Sequence, residues 1–207
     1  MPVIVIANPK GGVGKSTLAT NVAGCLAAAG HSVMLGDVDK QQSSRQWLQL
    51  RADAGAALAP IVGWDIGPLD VLRPPKGTTH VVLDTPAQLE GHRLESVLKV
   101  ADRLLIPLQP SLFDIQATHA FVQTLRAHRR GNEIKLGLVG MRVREHTKAN
   151  EQLHQYLSTL PVPVVAWLRD TQNYVQLAAR GLTLFDVAKS RVERDLEQWE
   201  PLAAWIR

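Results

Sequence analysis

Apolar residues along this chain fall into two rhythms. Short, nearly unbroken runs recur at Val3–Ala7, Val33–Gly36, His80–Leu83, Leu104–Leu108, Leu136–Met141 and Val162–Leu168. Between them lie longer stretches in which apolar residues return every three or four positions: Ser16–Ala29, Ser43–Arg51, Leu89–Val100, a segment ending near Arg130, Thr147–Leu160, and two more before Glu200. Continuous apolar runs suit strands covered on both faces, and the intervening periodicity suits the helices that cover them. Ile61-Val62-Gly63 adds a seventh short strand, and Asp70-Val71-Leu72 part of a short helix. The pattern predicts one doubly wound α/β domain over residues 1–207, a mostly parallel sheet of about seven strands with helices on both faces. Pro161 and Pro163 place the last strand at an edge, where a missing N–H is tolerated. Trp47, Leu48 and Leu50 are expected to point inward from the second helix.

Composition narrows the function classes. The 207 residues are 45% hydrophobic and 20% charged, enough to bury a sizeable core. No apolar run approaches the length of a membrane span. The first strand starts almost at Met1, which leaves no room for a signal peptide, and the lone Cys25 excludes an internal disulfide; both suit the cytoplasm. Cys25, on an Ala-rich helix with no histidine nearby, reads as a small core residue. A formal net charge of +4 permits contact with nucleic acid without establishing it.

The chemistry begins at Asn8-Pro9-Lys10-Gly11-Gly12-Val13-Gly14-Lys15-Ser16-Thr17, set between a strand and a helix. That context is the one a phosphate-binding loop requires. Glycines let backbone N–H groups curl around an anion, and the helix aims its positive end at the same point. Lys15 is expected to neutralise β/γ-phosphate oxygens and the Ser16 hydroxyl to ligate Mg²⁺, with residues 10–17 as the nucleotide-binding set. The position that usually carries the first glycine of such loops holds Pro9, and a second lysine, Lys10, stands at the entrance. The segment K-G-G-V-G-K-S resembles the deviant P-loop of the ParA/MinD family of dimerising ATPases. The resemblance implies ATP and Mg²⁺ as cofactors, an ATP-bound homodimer, and a Lys10 that reaches the partner protomer's nucleotide. A solvated surface lysine is the alternative reading of Lys10.

Carboxylates follow at strand ends, where ligands of open α/β sheets bind. Asp37-Val38-Asp39-Lys40-Gln41 resembles the family's D-x-D-P-Q segment with lysine for proline. By that likeness Asp39 acts on the attacking water and Asp37 lies near the metal; without it, both acids are candidates to cap the next helix. His80–Asp84 followed by Thr85-Pro86 resembles a Walker B strand, whose acid holds a water on Mg²⁺. Asp84 thus joins Ser16 and Asp37 in the expected metal set, while Lys10, Lys15 and Asp39 form the expected catalytic set. The cations of Arg126–Arg130 fit a helix C-terminus better than a DNA surface. Leu168 to Val187 resembles the family's I-P-R…G-x-x-x-x-D tail, which implies that the adenine base rests beside the loops after the last two strands.

Basic residues near the C-terminus carry the expectation of a nucleic-acid partner. In ParA-like proteins, cations after the last strand and around the final helix bind DNA backbone without sequence preference, and Arg169, Lys189 and Arg191 match best. A solvated face is the competing reading of each. No helix-turn-helix precedes the loop. The resemblance therefore implies a cytoplasmic, nucleoid-associated ATPase of the short, plasmid-type ParA group. It would position a cargo such as a plasmid and be released by a small centromere- or cargo-binding partner that stimulates hydrolysis. Two rivals stand beside it. A MinD-like membrane-cycling protein would need a basic amphipathic tail, yet Asp195, Glu197, Glu200 and Pro201 interrupt this one and suit core packing. A P-loop small-molecule kinase or synthetase would need a substrate domain or lid for which 207 residues leave no obvious room.

Overall fold

The computed structural model describes residues 1–39, 41–55, 58–64, 76–144 and 147–207. Seven strands form one parallel sheet in the order β3-β2-β4-β1-β5-β6-β7. They are β1 (Val3–Ile6), β2 (Val33–Asp37), β3 (Ile61–Trp64), β4 (His80–Asp84), β5 (Arg103–Leu108), β6 (Lys135–Val143) and β7 (Val164–Arg169). β7 takes the edge, as its prolines predict. Lys40 and the Asp70-Val71-Leu72 segment lie outside the described residues.

Alternation along the central strand divides the interior into two cores. Ile4 and Ile6 join α1 (Lys15–Ala28), α2 (Ser43–Asp53) and α7 (Lys189–Ile206) on one face, together with Leu177 of α6 (Gln172–Ala178). Val3, Val5 and Ala7 meet α3 (Gly91–Val100), α4 (Leu112–Ala127) and α5 (Lys148–Leu157) on the other. From β1 the chain crosses first to the β2 side and returns through β4 before building β5 to β7. The strand order therefore reverses at β1, the place in an open sheet where a ligand crevice forms. Pairing of Ile6 with Asp84, and of Asp37 with Asp84, brings three strand ends together there.

Two helices differ from expectation for identifiable reasons. In α2, Trp47 is buried but Leu50 is 44% exposed, and the inward place is taken by Arg51. Its guanidinium grips both carboxylate oxygens of Asp186 at 2.8 and 2.9 Å and reaches the carbonyls of Gly181 and Ala59. Every polar atom of this buried pair that the fold hides is thereby answered, which is the condition under which such a pair is tolerated. The last helix starts at Lys189, since Leu184–Asp186 forms its own 3₁₀ turn closed by a Thr183/Asp186 capping box. It bends at Val192 and runs past the exposed Pro201 to Ile206, held across it by buried Trp199, Leu202 and Ile206. That inner face accounts for the apolar tail. The cations near Arg126 also serve the fold: Arg126 bonds the carbonyls of Gly131 and Pro161, while Arg130 closes the end of α3 at Leu98 and Lys99.

Candidate phosphate-binding site

The loop after β1 is held in shape by residues that never need to touch a ligand. Asn8 is fully buried; its amide donates to the Pro107 carbonyl at 2.8 Å and the Thr118 hydroxyl at 3.2 Å, and its Oδ1 accepts the Lys10 N–H at 2.8 Å. The Gln109 amide braces the Gly12 carbonyl at 2.8 Å. Gly14 has φ +98°, a conformation costly for any side chain, and a Cβ there would lie 2.9 Å from Met141 Cε. It delivers the chain into α1 with no side-chain cap, so the first N–H groups of that helix stay available to an anion. Lys15, 8% exposed, donates from Nζ to the Lys10 carbonyl at 2.6 Å. Burial lowers its pKa, opposed by the nearby charges of Asp84 and Asp39.

The acids divide the work differently from the sequence reading. Asp84 is 1% exposed; Oδ2 accepts the Ser44 hydroxyl at 2.7 Å, and Oδ1 is buried without a hydrogen-bond partner. Burial pushes its carboxyl up to about 6, against the hydroxyls of Ser16 and Ser44, which favour the ionised form. An unanswered buried carboxylate oxygen next to Ser16 is a donor set that suits a hard divalent cation such as Mg²⁺. Asp37 carries a structural task as well. Its Oδ1 accepts the Asp39 N–H at 2.9 Å and its Oδ2 those of Ser44 and Arg45 at 2.9 and 3.2 Å. It anchors the α2 N-terminus through these backbone amides, beside the strand end that carries Asp84. The carboxylate of Asp39, half-buried, accepts the Gln41 N–H at 3.1 Å and no other hydrogen bond among the described residues, so it keeps acceptor capacity.

The raised pKa of Asp84 has a measurable sign. The folded protein holds this proton more tightly than the unfolded chain, where an aspartate titrates near 3.9. Its contribution to stability is therefore full below about pH 4 and is lost as pH rises through about 6. Thermal unfolding of the metal-free protein from pH 4 to 7 should show this loss in the wild type and a flatter profile in Asp84→Asn. Identical slopes would show that Asp84 is not the group responsible.

A cleft of about 900 Å³ opens from Val13, Gly14 and Thr17 towards Met141, Arg142 and Asp170 at the ends of β6 and β7. These are the loops that the sequence assigned to the base. Arg169 lies in its wall, where Nε donates to the fully buried Asp195 of α7; Asn173 Nδ2 donates to the other carboxylate oxygen at 2.6 Å. This side chain, expected from sequence as a DNA contact, is the counter-ion of a buried acid in the cleft wall. Lys189 and Arg191 are exposed at the start of α7. Lys10, half-buried, places Nζ 5.9 Å from the Phe113 ring centroid. Leu112 and Phe113 beside it are 64% and 71% exposed. Asn8, Ser44 and Gln109 escaped the sequence reading because single hydroxyls and amides have no diagnostic spacing. Ser44 had one usable signal, its place in the first turn after an acid-ended strand.

The profile of the CobQ/CobB/MinD/ParA nucleotide binding domain matches residues 4–184. The "Maintenance of carboxysome distribution protein A" of Gloeobacter kilaueensis is 40% identical over 116 residues, 55% of this chain and about half (51%) of that protein's length. The protein of the same name from Halothiobacillus neapolitanus is 26% identical over 93% of this chain and 91% of its own. A plasmid partition protein from Borrelia burgdorferi, solved with AMPPNP, superposes with a TM-score of 0.75 at 17% identity, covering 99% of both chains, and shares the fold. With the glycine loop, its two lysines and the Asp84 strand end in one crevice, these likenesses make the chain a member of the CobQ/CobB/MinD/ParA nucleotide-binding family, a ParA/MinD-type ATPase.

Proposed function

We propose that this ATPase is an ATP-driven positioning protein. It binds ATP at residues 10–17, pairs face to face with a second copy, attaches to DNA without reading sequence, and is released when a partner protein stimulates hydrolysis. The observation that carries this reading is the entrance of the loop, where the Lys10 ammonium lies near the exposed Phe113 ring while the Lys10 carbonyl holds Lys15. A cation next to exposed apolar side chains is suited to a contact between copies. Mg²⁺, held by the Ser16 hydroxyl and the Asp84 carboxylate, would neutralise phosphate charge at this site. Lys15 balances the phosphates from its buried position, Asn8 and Gln109 keep the loop amides aimed inward, and Asp39 is the acid left to orient a water. The cargo is proposed only as a class, a replicon or a large protein assembly; the carboxysome distribution relatives favour the assembly.

DNA attachment rests on Lys189 and Arg191, which present charge without a recognition helix in the groove-reading sense. ATP should tighten affinity for random duplex, since pairing doubles the cations offered to one stretch of phosphates. The affinity should fall with salt at a log–log slope of about −0.9 per phosphate contact. A gel-shift series with ATP, ADP and no nucleotide decides this. Lys189→Glu with Arg191→Glu should remove DNA binding and leave ATP binding unchanged. If the ATP-bound protein ignores DNA at low salt and pellets with anionic liposomes instead, the DNA reading fails.

A further inference from the structure

At the end of α1 remote from the phosphate loop, a groove of about 600 Å³ runs between that helix and α7. Its apolar walls come from Ala28 and Ala29, from Phe185 and Val187, and from Leu196 and Ala203, over a floor of Cys25 and Trp199. Cys25 lies ten residues into the helix beyond Lys15, about 15 Å along its axis, so the groove is separate from the nucleotide cleft. Along its rim stand Glu193, Glu197 and Glu200, all exposed. Their i, i+4, i+7 spacing puts them on one face of α7, and no ion pair among the described residues relieves them. Like charges at this spacing weaken a helix, so the stability of α7 does not account for them. Lys189 and Arg207 border the two ends, leaving the middle acidic on a chain whose net charge is +4.

We propose that this groove seats an amphipathic helical segment of a partner protein, with leucine-like residues in the groove and lysine or arginine facing the three glutamates. Apolar walls with a charged rim are the arrangement into which such helices dock. The floor offers a polar ligand little, because its polar group is a cysteine whose thiol is buried and held protonated, with its pKa pushed up to about 11, and the charges stand on the rim. An anionic lipid surface is repelled by the same glutamates that attract a basic helix. The groove is separate from Lys10 and Lys15, and the test leaves Lys189, which borders its end, and Arg191 unchanged, so its outcome is distinguishable from that of the DNA reading.

The chain carries its own reporter, since Cys25 is its single cysteine. The probe is a synthetic helix of leucine and lysine at heptad spacing, with a leucine/glutamate peptide of the same length as control. The basic peptide should bind the full-length protein, weaken with salt, and slow alkylation of Cys25; the acidic control should do neither. Replacing the three glutamates by lysine (E193K/E197K/E200K) should weaken binding about tenfold or more, as expected for three rim charge pairs. These residues are exposed, and an unchanged melting profile checks that the variant folds. Ala28→Trp, which fills the groove without touching charge, should also weaken binding. The proposal is overturned if the triple variant binds the basic peptide as well as wild type does, or if Cys25 reacts at its free rate while the peptide is bound. Protection of Cys25 by rising protein concentration alone, without competition from the peptide, would assign the groove to a second copy instead. Protection by anionic vesicles would assign it to lipid and equally defeat the proposal.

Discussion

Lys15→Ala should lose ATP binding with little change in fold. Lys15 is 8% exposed and its ammonium is held by the Lys10 carbonyl, 2.6 Å away, in the field of Asp84 and Asp39. In the variant those two acids face the phosphate site without their cation. Removing one member of a desolvated, hydrogen-bonded charge pair costs about 2–5 kcal/mol. That corresponds to a loss of roughly 30-fold to several thousand-fold in affinity. The amide cradle built by Gly12, Gly14 and the first turn of α1 remains, but it supplies dipoles and not a full charge. Calorimetric titration with Mg–ATP reads the result, and near-wild-type affinity in the variant would show that the nucleotide sits elsewhere. Thermal stability is the control: Lys15 is partly desolvated, so its removal should not lower the melting temperature much.

The fold was legible because its signals are redundant. Each buried strand is a continuous apolar run, so β1, β2, β4, β5 and β6 announce themselves without reference to their neighbours, and Pro161 with Pro163 marks β7 as an edge. The phosphate loop was legible for a similar reason: glycines, lysine and hydroxyl occur together between a strand and a helix. What failed depended on partners distant in the chain. Leu50 turned outward because Arg51 meets Asp186, 135 residues away, and takes the inward face of α2. Arg169 pairs with the buried Asp195 of α7, a partner 26 residues away that no local pattern announces. Asp37 is ambiguous in the sequence because an acid at a strand end is one pattern with two uses. Its capping use, through the amides of Asp39, Ser44 and Arg45, becomes visible only in the fold. Pro201 lies inside α7, where three buried side chains, Trp199, Leu202 and Ile206, hold the helix together across it.

Lys10→Ala should separate binding from turnover. Its backbone carbonyl, which holds Lys15, and its N–H, which bonds Asn8, survive the substitution, so nucleotide affinity should stay within a few-fold of wild type. The side chain has a different environment: half-buried, against the exposed Phe113 ring, at the surface proposed to meet a second copy. If it completes the partner's site, its loss should lower ATP turnover by ~10³–10⁵-fold, the range for a cation supplied in trans to phosphoryl transfer. The ATP-dependent dimer should weaken with it, as read by size exclusion with light scattering. Asp39→Ala should behave oppositely, forming the dimer with ATP and hydrolysing poorly, because it keeps every cation and removes the acid that orients water. Mixing the two variants then tests the direction of Lys10. A mixed dimer has one protomer with Asp39 intact receiving Lys10 from the other, so one of its two sites is complete. Random pairing should restore roughly a quarter of wild-type turnover, since about half the dimers are mixed. No recovery on mixing, with the dimer confirmed, would mean that Lys10 serves its own protomer's nucleotide.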